Sequence, residues 1–398
     1  MESLKTNPIM PNANGLIKNK FNVIVSGHLC LDIFPDVSRC NSEQFQKGFV
    51  PGHLINVGSM TFSTGGAVSN TGITLHKLGI CTQLMGKVGN DTLGQIVRHI
   101  LAAHSPHLGE GIIIDPKVDT SYTIVISPPG VDRIFLHNPG ANDTYSAEDV
   151  CYSSLNDVRL FHFGYPPLMK MMYAPQKPHI AEIFRLAKET GVTTSLDMAF
   201  PDADSPAGKA NWRSILESTL PYVDIFMPSI EEILFMLYRS VYDELQKKAI
   251  DGDILPFITP TLLSGLCFDL LNMGAKIIGL KLGHRGFYIR TANYSVLNGM
   301  GRAKPSHLES WTSKELWVPC FVVDVIGTAG AGDATIGGFL SGLLHDLTLE
   351  QTMEAALAVG ACCVEATDTT SGIRSWEQTL HRIENGWQKR TLDLILHD

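Results

Sequence analysis

The sequence predicts an α/β protein with a mostly parallel sheet, and two observations lead to that prediction. Five short apolar segments each stop at a small, polar or acidic residue, which is typical of strands buried on both faces. Segments with the 3.6-residue apolar period of amphipathic helices lie between them. Because open α/β sheets bind ligands at the carboxyl ends of their strands, the residues at these stops are expected to line a site.

The five strand segments are rich in β-branched and aromatic residues. They cover residues 21–26 before Gly27, 158–163 before Gly164, 192–196 before Asp197, 223–227 before Pro228, and 275–282 before Gly283. Apolar periodicity predicts helices over 93–101 and 180–187. A third helix is expected over 353–366, with Thr348 and Gln351 forming a capping box before it.

Two segments interrupt the alternation and predict a small β lid. Residues 33–64 contain a short β-like run at 53–60, and residues 112–140 contain a hairpin that turns at Pro-Pro-Gly 128–130. A flap beside the carboxyl edge of the sheet is suited to closing over a substrate. Residues 239–262 and 291–317 are interpreted as insertions without an assigned function. The predicted organisation is a disordered tail at 1–20 and one α/β domain over 21–390.

Composition disfavours several other classes of protein. The 398 residues carry 31 basic and 40 acidic side chains, a net charge of −9 that argues against nucleic acid as a partner. No apolar run is long enough to span a membrane, and the first twenty residues lack the apolar core of a secretory signal. The eight cysteines form no CxxC pair, which favours reduced thiols and a cytoplasmic location.

The segment GTAGAGDATIGG at 327–338 carries the strongest chemical signal. Its glycines let backbone N–H groups turn toward an anion, and the helix that follows adds the positive end of its dipole. An acid in such a positive nest is explained if Asp333 removes a proton from a hydroxyl that attacks a phosphoryl group. The alternative is that Asp333 only caps the helix.

Two further segments are candidates for binding a ligand. In STGGAVSN at 63–70, Gly65 and Gly66 allow close approach of the backbone, and Asn70 is expected to start the next helix. An ordinary glycine-rich loop with an Asn cap is the alternative. Asp32 follows the first strand and its carboxylate could accept hydrogen bonds from two vicinal hydroxyls, unless it is a solvated loop residue.

Five motifs in this order resemble the ribokinase-like (PfkB) family of carbohydrate and nucleoside kinases. They are GHLCLD at 27–32, GGAVSN at 65–70, VGNDTLG at 88–94, PGAN at 139–142 and TAGAGD at 328–333. The resemblance covers roughly residues 21–375. It implies a three-layer α/β/α sandwich with a small β lid, an ATP-dependent phosphotransferase acting on an alcohol group, and Mg²⁺ as cofactor.

The resemblance also implies roles for individual residues. Asp333 matches the general base, and the amides of Gly330, Ala331 and Gly332 match the anion hole for the transferring phosphoryl group. Glu232 matches a residue that organises Mg²⁺ through water, and a lid of this kind implies a homodimer. The matches on the sugar side are Asp32, Gly65, Gly66, Asn70 and Asn142. Those on the nucleotide side are Thr328, Lys281, Gly283, Gly286, Gly330 and Gly332.

Two departures from the family pattern bear on the cations. Gly327 stands where the family usually has a polar residue, in a stretch that often contributes to a monovalent-cation (K⁺) site. Ser229 in PSIEE, at 228–232, replaces the usual Asn near the magnesium site.

The sequence favours a small neutral sugar as the acceptor. The GGAVSN loop carries no Lys or Arg, and Arg133 on the lid hairpin is the one nearby cation, which suits a neutral sugar better than a phosphosugar. A nucleoside would call for stacking surface in the lid, for which Phe34, Phe45, Phe49 and Phe62 are candidates. A nucleoside or phosphosugar kinase, and a non-catalytic sugar or nucleotide sensor, remain the alternatives.

Overall fold

The computed structural model describes residues 21–38, 54–127 and 134–392. Within these ranges the strands are β1 (Val23–Gly27), β2 (Cys30–Pro35), β3 (Met60–Gly65), β4 (Thr82–Gly89), β5 (Gly111–Asp115), β6 (Tyr122–Ile126), β7 (Ile134–Asn138), β8 (Leu160–Gly164), β9 (Thr193–Leu196), β10 (Ile225–Phe226), β11 (Ile277–Lys281), β12 (Phe287–Thr291) and β13 (Glu315–Val318). The helices are α1 (Ala67–Lys77), α2 (Thr92–His104), α3 (His179–Glu189), α4 (Trp212–Thr219), α5 (Ile230–Leu237), α6 (Arg239–Lys248), α7 (Pro260–Asn272), α8 (Tyr294–Leu297), α9 (Ala331–Leu344), α10 (Leu349–Cys363) and α11 (Trp376–Glu384).

The main sheet has the order β13-β12-β11-β10-β9-β8-β1-β4-β5 and is parallel from β11 to β5. Its strands alternate their side chains between two cores, as the period of two requires. On β1, Ile24 joins Phe184 of α3 on one face, whereas Val25 joins Phe339 of α9 and Met353 of α10 on the other. Helices therefore cover both faces, which confirms the three-layer α/β/α architecture.

The five predicted strands and the three predicted helices are all present, with ends shifted by up to four residues. Thr348 and Gln351 form the expected capping box. The pattern analysis missed β4, because Gly86 and a buried lysine interrupt its apolar run. The charged side chain of Lys87 can be buried in the sheet because its ammonium has two partners. These are Asp149 Oδ2 at 2.8 Å and the carbonyl oxygen of Thr144 at 3.1 Å. The two predicted insertions contribute structure, since 239–262 contains α6 and 291–317 contains α8.

A second sheet of order β3-β2-β6-β7 forms the small lid. Its boundaries correct two expectations. Residues 112–115 open the predicted lid segment, but they belong to β5, which pairs in parallel with β4 in the main sheet. Residues 54–59 are not a strand. The antiparallel pairing of β3 with β2 begins at Met60, which lies opposite Pro35. The tail at 1–20 and the turn at 128–130 lie outside the described residues.

Asp224 ties three strands of the main sheet together. Its carboxylate is fully buried and accepts a hydrogen bond from the Thr194 amide at 3.0 Å. It also pairs with the ammonium of Lys188 at 2.5 Å and with that of Lys276. These contacts join the amino ends of β9, β10 and β11 with α3, at the edge of the sheet opposite the carboxyl ends where ligands are expected.

We predict that Asp224→Ala lowers the free energy of unfolding by about 3–5 kcal/mol, because two lysines lose a buried partner. Urea denaturation followed by circular dichroism measures the loss. The matched control is Glu189→Ala, which removes the exposed pair with Arg185 and should cost less than about 0.5 kcal/mol. A cost for Asp224→Ala as small as that of the control would contradict the structural role of Asp224.

Candidate active site

The glycine-rich segment forms the N-terminus of α9. Gly330 precedes the helix with φ +75°, and a Cβ at this position would lie 2.7 Å from Cβ of Thr369, so only glycine fits. The first bond of the helix runs from the Ala334 amide to the Gly330 carbonyl. Before it, the Ala331 amide donates to the Thr328 carbonyl at 3.3 Å, and the other amides of the first turn have no partner within the helix, which makes this end suited to an anion.

Asp333 lies in the first turn of α9 and is 2% exposed. Its carboxylate accepts hydrogen bonds from Asn70 Nδ2 at 3.0 Å, Thr71 Oγ1 at 3.3 Å and the Tyr165 hydroxyl at 2.7 Å. These partners come from α1 and from the residue after β8, so the carboxylate does not cap its own helix. Burial raises the pKa of Asp333, although the bond from Tyr165 and the charge of Lys281 oppose that rise.

The loop that contains Gly65 and Gly66, called the GG loop below, brings α1 against the start of the lid. Gly66 has φ +86°, and a Cβ there would lie 2.4 Å from the carbonyl oxygen of His28. A Cβ on Gly65 would lie 2.1 Å from Asp32 Oδ2, so Gly65 leaves space for that carboxylate. Helix α1 begins at Ala67, so Asn70 lies inside its first turn and is not the cap that the sequence suggested. The Asn70 side chain is thereby directed at Asp333.

Asp32 lies within β2 of the lid sheet, not in a solvated loop. The Cys30 thiol donates to Asp32 Oδ1 at 3.4 Å, and Thr123 faces it from β6. Burial raises the pKa of Asp32 to about 6, although the contacts with Cys30 and Thr123 lower it. The lid thus presents a carboxyl group with an unusual affinity for protons beside the GG loop.

Asn142 is buried and holds the loop between β1 and β2. Its Nδ2 donates to the Leu29 carbonyl at 3.0 Å, and its Oδ1 accepts from the Leu29 amide at 3.1 Å. The amide group therefore fixes the chain where it leaves the main sheet for the lid. Its predicted contact with a sugar stays a prediction, and Arg133 lies outside the described residues.

A buried cluster of charges lies on the other side of Asp333. Lys281, at the end of β11, contacts Asp197 Oδ1 at 2.5 Å. Burial opposes the charge of Lys281, but the carboxylates of Asp197, Glu232 and Asp333 raise its pKa overall. Burial also raises the pKa of Asp197 despite this pairing, and Asp197 Oδ2 has no partner among the described residues.

Glu232 lies in the first turn of α5. Its Oε2 accepts from the Ser229 amide at 2.7 Å, and Ser229 Oγ accepts from the Glu232 amide at 3.3 Å. Ser229 and Glu232 thus form a capping box at the start of α5, and the effect of Ser229 on a magnesium site stays a prediction. No group of three His, Cys, Asp or Glu side chains is arranged to hold a metal ion within the described ranges.

A cavity of about 540 Å³ opens beside this cluster. Of the residues expected on the nucleotide side, Thr328, Lys281, Gly283, Gly286 and Gly332 line it and Gly330 does not; Ala331 lines it as well. Phe321, Val323 and Leu357 give it apolar surface. Tyr165 lines the cavity and donates a hydrogen bond to Asp333, which does not itself line it. The lining combines apolar side chains with Lys281 and the start of α9, which suits a ligand with one apolar and one anionic end.

The sequence analysis missed Tyr165 and assigned no role to Asp197. Both follow a strand directly, β8 and β9, and that position was the available signal. Tyr165 has φ +66° and ψ +42°, the left-handed region that costs a non-glycine residue about 1–3 kcal/mol. Such strain is concentrated at functional sites, and here it directs the phenol at Asp333.

We predict that Asp32 destabilises the protein as the pH rises. A carboxyl group whose pKa is raised on folding binds its proton more tightly in the folded state, so stability is lost between pH 3.8 and about 6. Asp32→Asn removes this penalty and should raise the free energy of unfolding at pH 8 by up to about 3 kcal/mol, since each pKa unit corresponds to about 1.4 kcal/mol.

Urea denaturation of wild type and Asp32→Asn at pH 4 and pH 8 measures the difference. The gain should disappear at pH 4, and the exposed control Asp157→Asn should show no gain at either pH. An equal effect of Asp32→Asn at both pH values would contradict a raised pKa.

Comparisons with known proteins agree with this geometry. The model of the pfkB family carbohydrate kinases matches residues 21–376. Maize fructokinase-2 is 25% identical over 357 residues, covering 88% of this chain and 90% of its own.

Two solved structures share the fold. A fructokinase from Xylella fastidiosa with bound ATP superposes with a TM-score of 0.66 and 19% identity, covering 92% of this chain and 98% of its own. Arabidopsis thaliana ribokinase, complexed with ribose and ATP, gives a TM-score of 0.64 at 17% identity, covering 90% and 97%. The family match spans both sheets and the residues around Asp333. The chain therefore belongs to the pfkB family of carbohydrate kinases, enzymes that transfer a phosphoryl group to a hydroxyl acceptor.

Proposed function

We propose that this enzyme transfers the γ-phosphoryl group of ATP to a hydroxyl of a small neutral sugar, with Asp333 as the general base. The observation that carries the proposal is the position of Asp333. Its buried carboxylate lies in the first turn of α9, between the polar residues of the GG loop and the cavity beside Lys281. A hydroxyl bound against Asp333 would therefore face the end of a nucleotide in that cavity.

Asp333 accepts the proton of the acceptor hydroxyl as that oxygen bonds to the γ-phosphorus. The bond from the γ-phosphorus to the bridging oxygen breaks at the same centre, and ADP leaves with that electron pair. Burial supports this role because the raised pKa of Asp333 makes its carboxylate a stronger base than an exposed one. The hydrogen bonds from Asn70 and Thr71 keep the carboxylate oriented while it is charged.

The amides at the start of α9 supply the anion hole in this proposal. Gly330, Ala331 and Gly332 place backbone N–H groups and the positive helix end where negative charge develops on the phosphoryl oxygens. Lys281 adds a full positive charge close to these amides. Its Nζ would lie only 3.6 Å from a Cβ built on Gly332. These groups are fixed before the reaction, so they need no reorganisation during transfer.

The cavity supports ATP as the donor. Its apolar surface suits the base of the nucleotide, and the phosphates would meet the amides at the start of α9. The two solved relatives described above contain ATP. Glu232 and the unpartnered Oδ2 of Asp197 are oxygen ligands of the kind that Mg²⁺ prefers, reached directly or through water. Bound Mg²⁺ would neutralise charge on the phosphate oxygens.

The acceptor side supports a neutral sugar. Gly65 lies against Asp32, Asn70 donates to Asp333, and no lysine or arginine is among these residues proposed for the sugar side. Fructose and ribose are the first acceptors to test, because the curated relative is a fructokinase and one solved relative is a ribokinase with ribose. Nucleosides and sugar phosphates belong in the same panel, since they are the acceptors of the alternative kinases.

We predict that Asp333→Asn lowers kcat by about 10²–10⁴-fold, the usual contribution of a general base, and leaves the KM for ATP nearly unchanged. ADP release across the acceptor panel measures this, with the exposed Asp202→Asn as control. Turnover of wild type with one neutral sugar is the expected result. Ligand binding without turnover of any acceptor would favour the sensor instead.

We predict that Glu232→Gln raises the Mg²⁺ concentration for half-maximal activity by about 10–100-fold, the usual effect of losing an outer ligand. Glutamine keeps the capping box with Ser229, so the fold should be unchanged. A magnesium titration at saturating ATP measures the shift. Glu244→Gln, on the exposed face of α6, is the control, and equal curves for both variants would contradict the role of Glu232.

We propose a homodimer formed through the lid. The outer strands β3 and β7 present an exposed apolar surface, which marks an interaction site when it is contiguous. Its members are Met60, Phe62, Ile134, Phe135 and Leu136.

We predict that Leu136→Glu lowers the molar mass in solution to that of a monomer, because the charge would be buried against a partner. Sedimentation velocity measures this. Phe268→Glu, equally exposed on α7, should leave the mass unchanged. A monomeric wild type would contradict the lid dimer.

Two predictions on the surroundings of the enzyme remain. The K⁺ requirement implied by the resemblance is tested by replacing KCl with tetramethylammonium chloride in the kinase assay.

The cysteines of the described ranges are all free thiols, which suits the proposed cytoplasmic location. Within the same ranges, no helix has the length and apolarity that crossing a membrane requires.

A further inference from the structure

Tyr165 occupies the position beside Asp333 where an acceptor hydroxyl would have to bind. Its phenol donates to Asp333 Oδ2 at 2.7 Å, and its ring also lines the nucleotide cavity. Burial and the neighbouring Asp333 raise the pKa of Tyr165 well above its ordinary value, so the phenol stays protonated as a donor. A hydroxyl of the protein itself therefore contacts the proposed base.

The polar atoms around this phenol lack partners. Both ring nitrogens of His28 and the Oδ1 of Asn70 are buried without a hydrogen bond among the described residues. The His28 ring lies 6.2 Å from the Tyr165 ring and 5.5 Å from the ring of His137 on the lid, centroid to centroid. Buried polar atoms in this condition are destabilising unless a ligand supplies the missing bonds.

We propose that Tyr165 is a gate for the acceptor, which must displace the phenol from Asp333 before phosphoryl transfer. The inference rests on the proposed base role of Asp333. Rotation of the Tyr165 side chain uncovers Asp333, and a molecule with several hydroxyls then bonds Asp333, His28 and Asn70 together. The exchange favours the acceptor. One hydrogen bond from the phenol is lost, while the buried ring nitrogens of His28 and the Oδ1 of Asn70 gain hydrogen-bond partners. Water, with a single oxygen, cannot reach all of them.

The gate would protect ATP when no acceptor is present. Without the phenol, a water molecule at Asp333 could transfer its proton to the carboxylate and attack the γ-phosphorus. The bond to the bridging oxygen would break, and ADP and inorganic phosphate would form without a phosphorylated product. While the Tyr165 phenol donates to Asp333 Oδ2, it occupies the carboxylate oxygen that such a water molecule would contact.

The test is Tyr165→Phe, which removes one oxygen and keeps the ring. We expect ADP release from Mg-ATP without any acceptor to rise about tenfold, and the KM for fructose to fall several-fold. The kcat with fructose should stay within about twofold of wild type. The matched control is Tyr152→Phe, since Tyr152 is also half-buried and donates its hydroxyl, at 2.9 Å, to the Ala147 carbonyl.

Two further variants make the result decisive. Tyr165→Leu should act in the same direction, and thermal unfolding verifies that each variant is folded. The double variant of Tyr165→Phe with Asp333→Asn should lose the added ADP release, because water then has no base. Unchanged acceptor-free release and an unchanged KM for fructose in Tyr165→Phe would show that the gate is wrong. A large fall in kcat alone would also overturn it.

The outcomes separate this inference from the proposed function. If wild type phosphorylates fructose and Tyr165→Phe behaves like Tyr152→Phe, the kinase assignment stands and the gate is wrong. If wild type phosphorylates no acceptor, the proposed function is wrong. In that case a rise in acceptor-free release in Tyr165→Phe that depends on Asp333 still supports the gate, and the absence of a rise overturns it.

Discussion

The burial of one carboxylate in the first turn of α9 is the constraint on which the site depends. A charged group removed from water is strongly destabilising unless several donors surround it. Asp333 takes its donors from α1 and from the residue after β8, so those elements must meet at the start of α9. The same contacts that stabilise the carboxylate also orient it.

A second buried cluster balances the charge beside Asp333. Lys281 pairs with Asp197 and lies close to Glu232, so a net acidic protein keeps one fixed positive charge next to the amides of α9. The cluster also leaves Asp197 Oδ2 without a partner among the described residues. Such an oxygen would suit the divalent cation proposed for this site.

The lid is joined to the main sheet by a very short connection. Only two residues separate β1 from β2, and Asn142 fixes Leu29 between them through both of its amide atoms. Gly66 lets α1 pack against the neighbouring His28. These contacts hold His28 and the Gly65–Gly66 loop against the start of the lid, on the side where the acceptor is proposed to bind.

The sequence by itself determined the alternation of strands and helices, the capping box at Thr348 and the candidate base, because these follow from local patterns and from a motif around Asp333. It failed for β4, where the pairing of Lys87 with Asp149 compensates an interrupted apolar run. Only the tertiary structure decided that Asp32 lies in the lid sheet and that Tyr165 contacts Asp333. Those contacts join residues far apart in the chain, and a linear pattern carries no record of which strand ends become neighbours.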